Sequence, residues 1–340
     1  MSKLYGGIDL HSNNNVLTII DEQDRVVHEK RLRNNLPTVL EHLSPYRQNL
    51  TGLAVESTYN WYWLVDGLMD AGYSVKLVNT AAVVVYAGLK YTNDEHDARH
   101  LAHLLRLGLL PEGYICPKEL RAVRDLLRKR SQLVRHRTVQ ILSIQNLWSR
   151  NIGTSLSAYK TKTLEEAEVA QVFGAESERA MAIRSNLAVL KCLQEQIRQL
   201  EKTVLERVKM RPEYEKLLTV DGIGKILGLT IMLETGDIKR FAEVGQFASY
   251  CRCVASSRWS NTKKKGEGNR KNGNKYLAWA FVEAAHYGAR FNERIRHFYQ
   301  RKKAQKNTFV ALKATAHKLA RACYYIMRDQ VPFDAERAFG

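Results

Sequence analysis

An α/β domain followed by a mainly helical remainder is the fold class this chain predicts, and three observations predict it. Short β-branched runs alternate with helical periodicity over the first hundred residues, a long charged helix pattern opens at residue 118, and beyond it apolar residues recur at helical spacing.

The elements follow in order. "LYGGIDL" (4–10), "NVLTIID" (15–21) and "RVVHEKRL" (25–32) are short apolar runs punctuated by Gly or polar residues, a pattern for three neighbouring strands. "LPTVLEHLSPY" reads as a helix, "TGLAVEST" (51–58) as a fourth strand ending on a carboxylate, "WYWLVDGLMDAG" as a second helix and "SVKLVN" as a fifth strand. Strand, strand, strand, helix, strand, helix, strand is the order of a ribonuclease-H-like α/β domain, an analogy at the level of fold.

This order gives the acids positions. Asp9 ends the first strand and Glu56 the fourth, while Asp94 and Asp97 open the helix "DEHDARHLAHLLRLG" with a spacing that puts both on one face. Strand ends of an α/β sheet tend to share a rim, so three distant segments are expected to meet there. Such a cluster repels itself unless cations are bound, and two Mg2+ ions about 3.5–4 Å apart stabilise the attacking and leaving oxygens of a phosphodiester displacement. Taken alone, "NDEHDA" also suits a helix start, with Asn93 or Asp94 as N-cap. An Asp directly after "GGI" on an apolar strand is costly unless something uses it.

The rest of the chain is basic. Lys and Arg number 53 against 35 Asp and Glu, a net charge of +18, which favours a phosphate-rich partner through counterion release. The start, "MSKLYGGIDLHSNNN", is no signal peptide, no apolar run reaches the roughly 20 residues of a spanning helix, and five irregularly spaced cysteines form no disulfide framework. A cytoplasmic protein with no membrane partner is expected.

Residues 118–150 read as one long basic helix with Leu126, Leu133 and Leu147 among its apolar positions; eight Lys or Arg between Lys118 and Arg137 face two acids. A polar segment, 151–186, has weak periodicity. Leu190, Leu193, Ile197, Leu200 and Val204 then fall on a and d spacing, a short coiled-coil signal that suggests self-association, with an ordinary amphipathic helix as the alternative.

In the second half, "VDGIGKILG" places Gly222 and Gly224 in a tight turn between helices, similar to a helix-hairpin-helix element whose amides contact a backbone phosphate. "SSRWSNTKKKGEGNRKNGNKYL" is a glycine-rich basic loop suited to nucleic acid, carrying Arg258, Lys263, Lys264, Lys265, Arg270, Lys271, Asn274 and Lys275. Nine more Lys or Arg and no acid between Arg294 and Arg321 point to another basic surface. Ser256, Ser257 and Ser260 have no readable His and Asp partners and by themselves are turn residues. His96, His100 and His103 cover a helix face more readily than they hold zinc, and the cysteines of "CRC" (251–253) read as core.

"GIDLH", "VEST", "NDEHDARHLA", "VDGIGKILG" and "SNTKKKGEGNRKNGNKYL", in this order, resemble the DEDD transposases of the IS110 insertion sequences, the last string their IS1111 branch. The resemblance covers nearly the whole chain. It implies a RuvC-like domain at 1–150, a helical coiled-coil middle at 151–212 and a C-terminal serine transposase domain at 213–340. It also implies a recombinase of the bacterial nucleoid guided by a structured non-coding bridge RNA that pairs with donor and target DNA. By resemblance, Asp9, Glu56, Asp94 and Asp97 hold Mg2+ and a serine attacks the DNA phosphate to give a covalent link. The matching serine is Ser260, although Asn261 follows it where the family carries Gly. Dimers that assemble into a tetramer, joining the acids of one subunit to the serine of another, are implied as well. The competing readings are a metal-dependent, Holliday-junction-resolvase-like nuclease that forms no covalent link, and a nucleic-acid chaperone whose acids are structural.

Overall fold

The structure, a computed structural model, describes residues 2–83, 93–207, 211–254, 257–267 and 272–340. The chain divides into two compact units, Met1–Ile115 with Ser257–Asn272, and Cys116–Ser256 with Gly273–Gly340.

In the first unit, β1 (Leu4–Leu10), β2 (Asn14–Ile20), β3 (Val26–Arg33), β4 (Leu50–Glu56) and β5 (Val75–Val78) form one sheet in the order β3-β2-β1-β4-β5. β1 is antiparallel to β2 and parallel to β4, and β4 is parallel to β5. The outer strand β3 is mostly exposed and carries His28, Glu29, Lys30 and Arg31, charges that discourage edge-to-edge pairing. Helices α1 (Leu36–Leu43), opened by an Asn35 cap on the Thr38 N–H, and α2 (Tyr62–Asp70) cover one face. There Ile8, Leu10, Leu17, Ile19, Leu53 and Val55 pack with Val39, Leu43, Leu64 and Leu68.

Helix α3 (Asp94–Arg106) lies on the opposite face, and the strand period of two decides what it meets. Ile8 and Leu10 point into the apolar core, so Gly7 and Asp9 point toward α3. On β4, Leu53 and Val55 are core, which leaves Ala54 and Glu56 on the α3 side. Each acid thus stands two residues after a small one. Gly7 lets the helix backbone approach: a Cβ there would lie 2.0 Å from the Ala98 carbonyl oxygen and 2.7 Å from the Ala102 nitrogen.

The second unit begins with α4 (Lys118–Ile152), then α5 (Ala158–Lys162), α6 (Glu166–Phe173) and α7 (Glu178–Arg207). The polar stretch between the long helices is therefore itself helical, held by local caps rather than by a long apolar period: Ser157 accepts from the Lys160 N–H, and Glu165 with Glu168 forms a capping box. Helices α4 and α7 pack antiparallel. Arg130 meets Glu201 at 2.7 Å, and farther along Ile141, Ile144 and Trp148 pack with Ala180, Ile183 and Leu187. Of the a and d stripe, Leu190, Ile197 and Val204 are buried and Leu193 and Leu200 half-buried, so its packing partner is a helix of the same chain.

Next come α8 (Pro212–Leu217), α9 (Lys225–Thr235), α10 (Val244–Tyr250), α11 (Lys275–Phe291), α12 (Glu293–Gln305), α13 (Thr308–Asp329) and α14 (Ala335–Phe339), around a core that includes Phe247, Phe281 and Tyr324. Cys251 and Cys253 are buried in this core with Cys323, and burial pushes the Cys253 thiol up to about 12. Part of the basic segment read as a loop is a hairpin of β6 (Ser257–Ser260) and β7 (Lys263–Glu267). Its two turn residues, Asn261 (φ 48°) and Thr262 (φ 60°), are both left-handed, the backbone that suits strand twist in a two-residue hairpin. Among the described residues no helix is long and apolar enough to cross a membrane.

Candidate active site

β1 and β4 run parallel with Ile8 beside Val55, so their next residues, Asp9 and Glu56, emerge together on the α3 face. The Glu56 carboxyl hydrogen-bonds Asp9 and accepts from the Leu10 N–H. Burial first, and then the contact with Asp9, pushes Glu56 up to about 8 from an ordinary 4.5. Glu56 therefore keeps its proton near neutral pH.

Asn93 caps α3 by accepting from the His96 N–H at 2.9 Å, which places Asp94 in the first helical turn. His11 Nε2 stands 3.2 Å from Asp9 Oδ2 and 3.3 Å from Asp94 Oδ2. One ligand-capable atom from each of Asp9, His11 and Asp94 lies within 4.8 Å of the others. Although His11 Nε2 is buried, it meets neither carboxylate at a hydrogen-bonding angle. Arg31 reaches from β3 to Asp94 at 2.7 Å and Glu95 at 3.3 Å, and this bond holds Asp94 below the usual carboxylate range. The Asp97 side chain is 56% exposed; its charge adds to the rise of Glu56.

A buried, unaligned imidazole nitrogen facing two carboxylates, beside a carboxyl that keeps its proton, is a donor set that a divalent cation fits. Hard oxygen ligands dominate it, with one nitrogen added. His11 was missed by the sequence reading, yet it stands two residues after Asp9 in "GIDLH", where strand alternation puts both side chains on one face. Arg31 gave no signal, because only the pairing of β3 brings it to the rim.

The Glu56 shift has a measurable consequence. Its folded value lies above its unfolded one, so the folded state binds more protons between 4.5 and about 8. The resulting stability is complete below 4.5 and is lost as pH rises through about 8. With chelator present, the wild-type Tm should fall across this range, while Glu56→Gln should flatten the slope and melt higher at the alkaline end. Thermal melts at stepped pH read both; parallel slopes in the two proteins refute the assignment.

The three histidines line one face of α3, His96 and His100 with ring centroids 6.3 Å apart and His100 and His103 6.4 Å apart. His103 Nδ1 is 2.9 Å from Asp24, which Arg106 also grips, so this face clamps the turn between β2 and β3.

Ser260 is exposed at the end of β6, next to the hairpin turn, and Lys263 and Lys265 are exposed on β7. Ser257 and Arg258 stand on β6 and Lys264 on β7; Ser256, Arg270 and Lys271 lie outside the described residues. The hairpin groups with the sheet that bears the acids. In the second unit, the Asn274 side chain caps α11 on the Tyr276 and Leu277 N–H groups and donates to Glu234 at 2.7 Å. Glu234 is buried and also takes both nitrogens of a bidentate Arg128 at 2.6 and 2.7 Å. Lys275 is exposed, Gly222 (φ 97°) turns the chain onto α11, and Gly224 is the N-cap of α9 with open space where a side chain would stand.

Comparison with known proteins gives this arrangement its class. Residues 6–150 match the DEDD transposase model of the IS110 type, and residues 214–300 match the model described as Transposase IS116/IS110/IS902 family. A probable family 20 transposase of Pseudomonas aeruginosa is 24% identical over 289 residues, 82% of each chain. A transposase for insertion sequence element IS1111A, of Coxiella burnetii, is 22% identical over 290 residues, 82% of this chain and 76% of that one. The molecule is thus a DNA transposase with a mixed α/β N-terminal domain and a mostly helical remainder. It belongs to the IS110/IS116/IS902 family of insertion-sequence transposases.

Proposed function

We propose that this transposase cleaves and rejoins DNA with Mg2+ held by Asp9, Glu56, Asp94 and Asp97 and with Ser260 as nucleophile, guided by a structured bridge RNA. One observation carries the reading: Asp9 and Glu56 meet from neighbouring parallel strands, and Asp94 stands within ligand distance of Asp9 and His11. The sheet order β3-β2-β1-β4-β5, with only the first two connections antiparallel, supports a RuvC-like assignment. The Gly222–Gly224 turn between α8 and α9 supports a helix-hairpin-helix-like phosphate contact.

Bound Mg2+ supplies charge neutralisation at the scissile phosphate. The chain's own groups do the rest. Lys263 and Lys265, with Arg258 and Lys264, hold the strand by its phosphates, Arg270 and Lys271 extend that basic segment, and Lys275 of the second unit adds a phosphate contact of its own. Glu56 would have to give up its proton for its carboxylate to serve as a ligand, which would couple loading to pH. The Ser260 oxygen forms a bond to phosphorus and loses its proton, while the bridging DNA oxygen leaves and takes one; the phosphoserine conserves the bond for rejoining. His11 Nε2, 3.2 Å from Asp9 and 3.3 Å from Asp94, would add a nitrogen ligand to this set.

A dimer that assembles into a tetramer, working in the cytoplasm at the nucleoid, completes the proposal. The packing of the α7 stripe on α4 favours other surfaces for contacts between subunits. Sequencing the RNA that copurifies with the protein tests it: one enriched structured species is expected, and absence of any enriched RNA removes the guided step. Cleavage that never leaves protein on DNA points instead to a resolvase-like nuclease.

A further inference from the structure

The turn between α8 and α9 and the outer face of α11 make one built surface in the second unit. Gly222 packs backbone to backbone on α11, where a Cβ would lie 2.4 Å from the Gly288 nitrogen and 2.5 Å from the Ala284 carbonyl oxygen. Asn292 Nδ2, at the end of α11, donates to Asp221 Oδ2 at 2.7 Å. A cavity of about 600 Å³ opens here, with Lys225, Tyr287 and Phe291 in its lining.

The two rings stand one helical turn apart, 6.3 Å between centroids and 6° from parallel. They are 42% and 65% exposed, while Leu277, Phe281, Ala284 and Gly288 of the same helix are buried in the core. Packing therefore does not account for them. Lys225 lines the same cavity, and the Arg290 guanidinium sits 5.5 Å from the Phe291 ring centroid.

Parallel aromatic faces flanked by cations, on a chain of net charge +18, match the chemistry of an unpaired nucleotide strand: bases stack on the rings and phosphates meet the cations. A duplex keeps its base faces stacked on one another and has no use for the rings. A second copy docked symmetrically would bring the same cations to this face a second time. We infer that Tyr287 and Phe291 form a base-stacking platform for unpaired nucleotides of a DNA or RNA strand whose phosphates are met by Lys225 and Arg290. The inference deepens, and rests on, the proposed handling of nucleic acid by this transposase.

The test titrates the full-length protein, at low and high salt, with single-stranded DNA and RNA of one sequence, about 12 nucleotides long, and with the matching DNA duplex. Tyr287→Leu with Phe291→Leu keeps apolar bulk and removes the stacking faces. It should weaken single-strand binding about 10- to 100-fold, leave duplex binding and the salt slope unchanged, and leave Tm unchanged. The strand that loses more, DNA or RNA, is the one the platform serves. Lys225→Gln should weaken all three ligands and lower the salt slope by about one. An effect of the ring variant without any effect of Lys225→Gln leaves the platform standing and removes the phosphate reading of the turn. Unchanged single-strand affinity overturns the platform, as does an equal loss on duplex. Lost self-association in light scattering with single-strand binding intact also overturns it and gives the rings to a second copy. Should the double variant melt early, Phe291→Leu alone, at the more exposed ring, is judged by the same criteria.

Discussion

On the proposed reading, Asp9→Asn should abolish strand cleavage by this transposase, a loss of about 10³-fold or more, while binding of DNA, and of any RNA that copurifies, should persist. The size follows from position. Asp9 is 5% exposed and is the one acid that touches both other parts of the cluster, hydrogen-bonding Glu56 and standing 3.2 Å from His11. Asparagine keeps the shape and can donate to Glu56, so the sheet has no reason to unfold, but the anionic ligand at the centre is gone. The basic residues proposed to hold nucleic acid stand on other segments and are left unaltered. A plasmid carrying donor and target sites, incubated with Mg2+ and run on a denaturing gel, reads cleavage, and co-elution reads RNA binding. Cleavage by the variant at a rate near that of the wild type excludes Asp9 from the chemistry.

With Ser260 as the nucleophile proposed above, Ser260→Ala should remove the covalent protein–DNA adduct entirely. Ser260 is exposed at the last position of β6, where its backbone pairs with Lys263, and deleting the hydroxyl leaves that ladder and the adjoining turn intact. Folding and DNA affinity should therefore be unchanged, and the loss specific to the bond. Asn261, the next residue, takes a left-handed conformation, which Asn tolerates better than most side chains. Adduct is measured as labelled DNA that co-migrates with protein after denaturation. An adduct that survives the substitution moves the nucleophile to Ser257 or Ser256.

Legibility differed from element to element for physical reasons. β1, β2, β4, β5 and the helices that cover them were readable because each buries an apolar face with its own local period; β3, mostly exposed, was readable only as a short run opening on Val26 and Val27. The segment between α4 and α7 was not, because α5 and α6 are one to two turns long and rest on caps such as Ser157 and the Glu165–Glu168 box. The hairpin was hidden as well: Asn-Thr is not among the dipeptides that announce a left-handed turn, and a basic, glycine-containing run carries no period of two.

The sequence by itself determined the acids, their places at strand ends and a helix start, the basic character of the second half and the order of motifs that marks the family. Composition and period are local properties, and they survive without coordinates. Only tertiary structure decided the rest. Gly7 lets α3 lie against β1 and so brings Asp94 beside Asp9; the parallel register of β1 and β4 sets Glu56 against Asp9 and raises it; β3 carries Arg31 to Asp94. The α7 stripe reads as a coiled-coil face whatever it packs on, and the fold gave it α4 of the same chain. Each of these depends on which distant segments touch, and contact between distant segments is what a one-dimensional period does not encode.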